Sequence, residues 1–231
     1  MFQNTHPLGV STGFEPTDIP TTHMDGRAGA FADTETPAAS ALSPSLLRDL
    51  KRFANEPAAA DLLAVLAASV RHGKPLSLSL DLDGLAVDLT LHPLRQVCYS
   101  TLDLCALGDA ALSQIRLLRV EPDRDPASLL AGRLHVGSLR PLLWNLAMRG
   151  AHTGLLPEIA GPVRCRLALG NSLSGLPIDG SRKRLIQRMK AAPVSLDDLL
   201  SDTALGRAAV ERLWNALYLQ SALMVTRAFS Q

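Results

Sequence analysis

The sequence predicts an α+β fold: a mixed domain with an antiparallel, hairpin-based sheet and flanking helices, followed by a small C-terminal unit of three helices and a strand. Three observations carry this. Two runs of period two, Leu76–Leu82 and Leu85–Leu91, meet at Asp83-Gly84, the strongest short-range hairpin signal a sequence offers. Apolar residues at helical spacing lie on both sides of that hairpin. Hydrophobic residues make up 47% of the 231-residue chain and aromatics only 4%, so Leu, Ala and Val must build the core.

Residues 1–43 are rich in Thr, Pro, Gly and Ala and have no apolar period. Such a segment cannot bury enough surface to offset its ordering entropy, so a disordered leader is expected. An α+β domain follows over 44–170. Ser43 as N-cap and Pro44 at the first helical position open a helix carrying Leu46, Leu47, Leu50 and Phe53. A second helix after Pro57 aligns Leu62, Leu63, Leu66 and Val70 and closes at Gly73. In the hairpin, Leu76, Leu78, Leu80 and Leu82 alternate with Ser77, Ser79 and Asp81, and Leu85, Val87, Leu89 and Leu91 with Ala86, Asp88 and Thr90. Val97–Ser100 reads as a third strand, 103–113 as a helix, Ile115–Val120 as a strand and Pro122 to Pro126 as a charged turn. Ser138 can cap a helix holding Leu139, Leu142, Leu143, Leu146 and Ala147, with Trp144 on its flank and Gly150 at its end. Val163, Cys165, Leu167 and Leu169 alternate with Arg164, Arg166 and Ala168 as a strand.

Gly170, Gly175, Pro177 and Gly180 mark a linker over 171–180. The last unit, 181–231, opens with a basic amphipathic helix, Ser181–Ala192, with Leu185, Ile186 and Met189 inward. Pro193 breaks it. Ser195 caps a short helix, Leu196–Leu200, whose first turn holds Asp197 and Asp198, where the helix dipole favours acids. A turn at 201–206 leads to a longer helix, Ala208–Leu219, with Val210, Leu213, Trp214 and Leu217 on its apolar face. Ala222–Thr226 reads as a closing strand.

That order is the grammar of a helix-turn-helix with a wing strand behind it. The string "PVSLDDLLSDTALGRAAVERLWNALYLQSALMV" resembles the winged-helix units of bacterial regulators, with "SLDDLL" as second helix and "GRAAVERLWNAL" as third. Upstream, "ADLLAVLAASVRHGKPLSLSLDLDGLAVDLTLHPLRQVCYST" is similar to the helix-then-hairpin opening of the PatA N-terminal domain family. It departs from the family pattern in "GKPLSL", where a Gly-X-Leu entry to the strand is typical. That resemblance implies a role in bacterial two-component or surface-motility signalling through protein contacts.

Net charge is +1, but residues 1–42 hold five acids and one base, leaving 22 basic and 17 acidic residues beyond them. That mild bias suits an acidic protein surface as well as DNA. The bases concentrate at Arg182, Lys183, Arg184, Arg188 and Lys190, with Arg207 and Arg212 on the last helix. These seven are the candidate contacts to an anion, a nucleic acid or an anionic dinucleotide. As a base reader the last helix is poor: Gly206-Arg207-Ala208-Ala209-Val210 offers one suitable side chain at its start, with Arg212 and Asn215 further on.

No catalytic residue, cofactor or metal ligand set is predicted. Six histidines, His6, His23, His72, His92, His135 and His152, are scattered without an H-x-x-x-H pair. The run Gly170 to Gly175 lacks the Gly-x-Ser-x-Gly spacing of a hydrolase elbow, and Leu176 stands where a phosphate loop needs Lys. Cys98 or Cys105 as a nucleophile would need a thiolate-stabilising neighbour. Only Cys98 has such groups, His92 and Arg95, near it in sequence, a thin basis. Three cysteines without close pairing, Cys98, Cys105 and Cys165, suit a reducing compartment. No signal peptide is expected, nor a transmembrane span, since charges or Gly/Pro interrupt every apolar run. The expected function is therefore a cytoplasmic, non-enzymatic regulatory or adaptor protein of bacterial signalling that binds another protein. The alternative is a DNA-binding transcription regulator using the C-terminal unit.

Overall fold

The computed structural model describes residues 44–55, 61–110, 114–122, 134–149, 154–170 and 172–227. The expected leader, the segment after Pro122 and the helix end at Gly150 lie outside the described residues, as do His6, His23 and His152. The described residues belong to one compact unit.

Helix α1 spans Pro44–Asn55 and buries Leu46, Leu50 and Phe53, one residue per turn on one face. Helix α2 spans Leu62–His72. Its N-cap is Asp61, whose carboxylate accepts the Leu63 N–H at 2.9 Å, and its C-cap is Gly73, left-handed at φ 60°. Strands β1 (Leu76–Leu82), β2 (Leu85–His92), β3 (Val97–Ser100), β4 (Ile115–Pro122) and β5 (His135–Ser138) form one antiparallel sheet in the order β4-β1-β2-β3-β5. Asp83 and Gly84 connect β1 to β2 with φ of 49° and 89°, the double positive φ of a type I′ turn. The register pairs Leu76 with Leu91, Leu78 with Leu89 and Leu80 with Val87. All six point into the core, so the alternation legible in the sequence fixes which face is buried. The opposite face is polar, with Ser79 Oγ donating to Asp88 at 2.9 Å and Ser77 sharing a 3.2 Å bond with Thr90.

Helix α3 (Leu104–Asp109) lies against α4 (Leu139–Arg149). Strand β6 (Val163–Leu167) pairs antiparallel with β7 (Leu223–Arg227), from Val163 opposite Arg227 to Leu167 opposite Leu223. Between them in sequence come α5 (Gly180–Ala191), α6 (Leu196–Ser201) and α7 (Arg207–Leu219). Cys165 exchanges two backbone bonds with Val194, at 2.8 and 3.0 Å. β6 thus lies before the glycine-rich segment and its partner strand after it, while α7 packs along α4. Arg71 of α2 bonds the carboxylates of Asp49 on α1 and Glu158 in the loop before β6. Asp49 also meets His72 at 3.0 Å.

Several element boundaries differ from the sequence expectation. Strand β5 was not expected: it has four residues, one of them Gly137, and its place is set by pairing with β3. Helix α3 ends at Asp109 rather than running to 113, because Ala110 turns to an extended conformation. β4 extends through Pro122, which pairs with Leu76. β6 stops at Leu167; the next N–H, of Ala168, bonds the Ala222 carbonyl at 2.8 Å, and Leu169 stands 85% exposed. Trp144, beside the apolar face of its helix, is fully buried, as is Trp214.

Candidate anion-binding cleft

Helix α5 is capped by Asp179, which accepts the Arg182 N–H at 2.8 Å and also holds the Arg182 guanidinium. Its inner face is Leu185, Ile186 and Met189, all buried. The seven predicted contact residues then divide. Arg182 pairs with Asp179, Arg188 with Asp202, and Arg207 with Glu211 at 2.9 Å along one helix face. Arg212 is half-buried on α7. Lys183, Arg184 and Lys190 are exposed and have no carboxylate partner among the described residues.

Lys183 and Lys190 share a face of α5 with Gln187, at the spacing of one and two turns. That face looks across a cleft of about 480 Å³ onto residues 172–178. The floor is apolar, from Leu173, Leu176, Ile178 and Ile186, and the opposing rim carries Ser172 and Ser174. No acid lines it. The rim is braced from outside. Arg140 of α4 donates to the Ser172 carbonyl and, at 3.2 Å, to Gln220 Oε1. Gln220 returns a 3.0 Å bond to the Arg140 carbonyl. The Ser174 N–H is held by Ser172 Oγ at 3.3 Å. The linker composition of 171–180 does not point to Ser172 or Ser174, nor the amphipathic pattern of α5 to Gln187. In the sequence Lys183, Gln187 and Lys190 stand at i, i+4, i+7, and the facing wall is the glycine-serine run in which Leu176 replaces the lysine of a phosphate loop.

Asn215, a candidate base reader by sequence, is fully buried. Its Oδ1 accepts the Leu156 N–H and its Nδ2 donates to the Gly154 carbonyl, both at 3.0 Å. It holds a loop rather than facing solvent.

The cysteines are free. Burial pushes the Cys98 and Cys165 thiols up to about 11, so both are protonated at neutral pH and poor nucleophiles. Cys98 Sγ donates to the Gly137 carbonyl at 3.6 Å, while the His92 ring stands edge-on to Tyr99 with centroids 5.5 Å apart. Cys105 is exposed beside a second cleft of about 350 Å³, lined also by Asp103 and His135. There His135 Nδ1 lies 3.9 Å from Asp103 Oδ2. Asp103 is committed to capping α3 through the Cys105 and Ala106 N–H groups, at 2.9 and 3.1 Å. Among the described residues, no three His, Cys, Asp or Glu side chains gather as a metal site.

Comparison of the chain with protein-family models, with curated proteins and with solved structures finds no match.

Proposed function

We infer that this chain is a non-enzymatic regulatory or adaptor protein of bacterial signalling, acting in the cytoplasm by contact with another protein. The observation that carries the reading is the burial of α7. A helix that reads DNA must lay polar side chains in the major groove. Here Val210, Leu213, Trp214, Asn215, Ala216, Leu217 and Leu219 are all buried, and Arg207 at its start is bound to Glu211. The helix serves packing rather than base reading, which favours the protein-contact reading over the DNA one. The order α5, α6, turn, α7, β7 is compatible with the resemblance to winged-helix units, and α2 followed by the β1–β2 hairpin with the similarity to the PatA N-terminal domain. The three free thiols suit a reducing compartment. No helix among the described residues is long and apolar enough to cross a membrane.

The second reading, a DNA-binding regulator, draws on the exposed bases of α5. A mobility-shift titration on random duplex at low salt separates the two, because phosphate contacts are strongest there. The expected outcome is no discrete complex at micromolar protein. A salt-sensitive complex that disappears in an Arg182→Glu/Lys183→Glu/Arg184→Glu variant overturns the protein-contact reading. Affinity purification from bacterial lysate, scored by mass spectrometry, should recover one partner reproducibly; repeated failure to enrich any also overturns it.

A further inference from the structure

We propose that the cleft between residues 172–178 and α5 binds a small organic phosphate of the nucleotide type, with Lys183 and Lys190 on its phosphate groups and the apolar floor under its body. This goes beyond the protein-contact reading and does not depend on it.

Four features point the same way. Charge is the first. Lys183 and Lys190 are exposed and unpaired among the described residues, whereas neighbouring Arg182 and Arg188 are neutralised by Asp179 and Asp202. On α5 the uncompensated positive charge thus lies on Lys183 and Lys190, which line the cleft, and on Arg184, which is exposed outside it. Spacing is the second. Seven residues of helix place the two lysines about 10 Å apart along the axis. Each is a point charge on a flexible stem able to reach inward, so the pair suits a ligand with more than one phosphate group. The third is the floor. Leu173, Ile178 and Ile186 offer apolar surface that an inorganic anion would not use and that a base or similar ring would cover. The fourth is preorganisation. Arg140 and Gln220 fix the far rim through the Ser172 carbonyl, which lowers the ordering cost of binding. The volume, about 480 Å³, falls within the range of ligand pockets, about 300–1,000 Å³.

The test is calorimetric titration of the full chain at low ionic strength with ATP, pyrophosphate and adenosine as probes. ATP should bind, more tightly than pyrophosphate, and adenosine should not bind measurably. Lys183→Gln and Lys190→Gln should each weaken ATP by about tenfold, the loss of one charge-assisted hydrogen bond. Ser174→Glu, which sets a carboxylate on the rim, should abolish binding without moving the melting temperature. Arg95→Ala, on the exposed turn after β2, should change nothing. The proposal is overturned by the absence of ATP binding at millimolar concentration, by equal affinity for pyrophosphate, or by unchanged affinity in both lysine variants. Binding of duplex DNA without binding of ATP overturns it as well, in favour of a backbone-tracking basic surface.

Discussion

Asn215 shows how one side chain can change meaning between sequence and structure. On a helix otherwise read as amphipathic, it sits where a base reader could sit. In the fold it is buried and spends both ends of its amide on the Leu156 N–H and the Gly154 carbonyl. The sign was present in Leu213-Trp214-Asn215-Ala216-Leu217: a helix apolar nearly all round is a buried helix, and a polar residue inside one must satisfy backbone. Replacing it removes the acceptor of the buried Leu156 N–H and the donor to the part-buried Gly154 carbonyl. Asn215→Ala should therefore destabilise the protein by about 2 kcal/mol, the cost of leaving such groups unpaired. Urea unfolding followed by circular dichroism reads this directly. A change within experimental error would mean that the loop at 154–156 relaxes and finds water instead.

Helix α6 was legible because everything that defines it is local. Ser195 accepts the Asp198 N–H at 3.1 Å and Asp198 accepts the Ser195 N–H at 2.9 Å, a reciprocal capping box written within four residues. The same holds for the β1–β2 hairpin, whose turn and register follow from Asp83-Gly84 and the alternation around it. Strand β5 was not legible, because a four-residue segment with a central glycine becomes a strand only through its ladder with β3. Gly137 there also lies against Leu104, whose Cδ1 would be 2.5 Å from an added Cβ, a constraint that sequence spacing does not carry. For the capping box the physics gives a pH-dependent outcome. Hydrogen bonds from the Ser195 backbone and then its hydroxyl hold the Asp198 carboxyl below its usual value of 3.8, with Arg164 and Arg188 adding to the effect. A depressed folded-state value means that this stabilisation is present above the unfolded value and is lost as pH falls through the folded one. Ser195→Ala should cost about 1 kcal/mol at neutral pH. The gap between variant and wild type should narrow once Asp198 is protonated, measured as melting temperature across an acid series. A gap that widens in acid would contradict the assignment of the box.

The arrangement of the described residues as one unit depends on pairings that no local pattern announces. Periodicity identified β6 and β7 as strands without saying that they pair, although some sixty residues separate Cys165 from its partner Val225. It also placed a boundary at 171–180, a segment that packs Leu173, Leu176 and Ile178 against the common core and supplies one wall of the cleft. Because β6 is the strand partner of β7, and α4 packs along α7, the last fifty residues lack two of their contacts when cut free. A fragment 181–231 would leave Val210, Leu213 and Trp214 uncovered on one side and β7 without a ladder, with too little buried surface to offset its chain entropy. That fragment should show weak helical dichroism and no cooperative melting. The full chain should unfold in one transition whose calorimetric and van't Hoff enthalpies agree. A fragment that melts cooperatively by itself, or a full chain with two resolved transitions, would make the C-terminal helices an autonomous domain. The cleft would then be a junction between bodies, and its lysines would no longer be held at a fixed distance from Ser172 and Ser174.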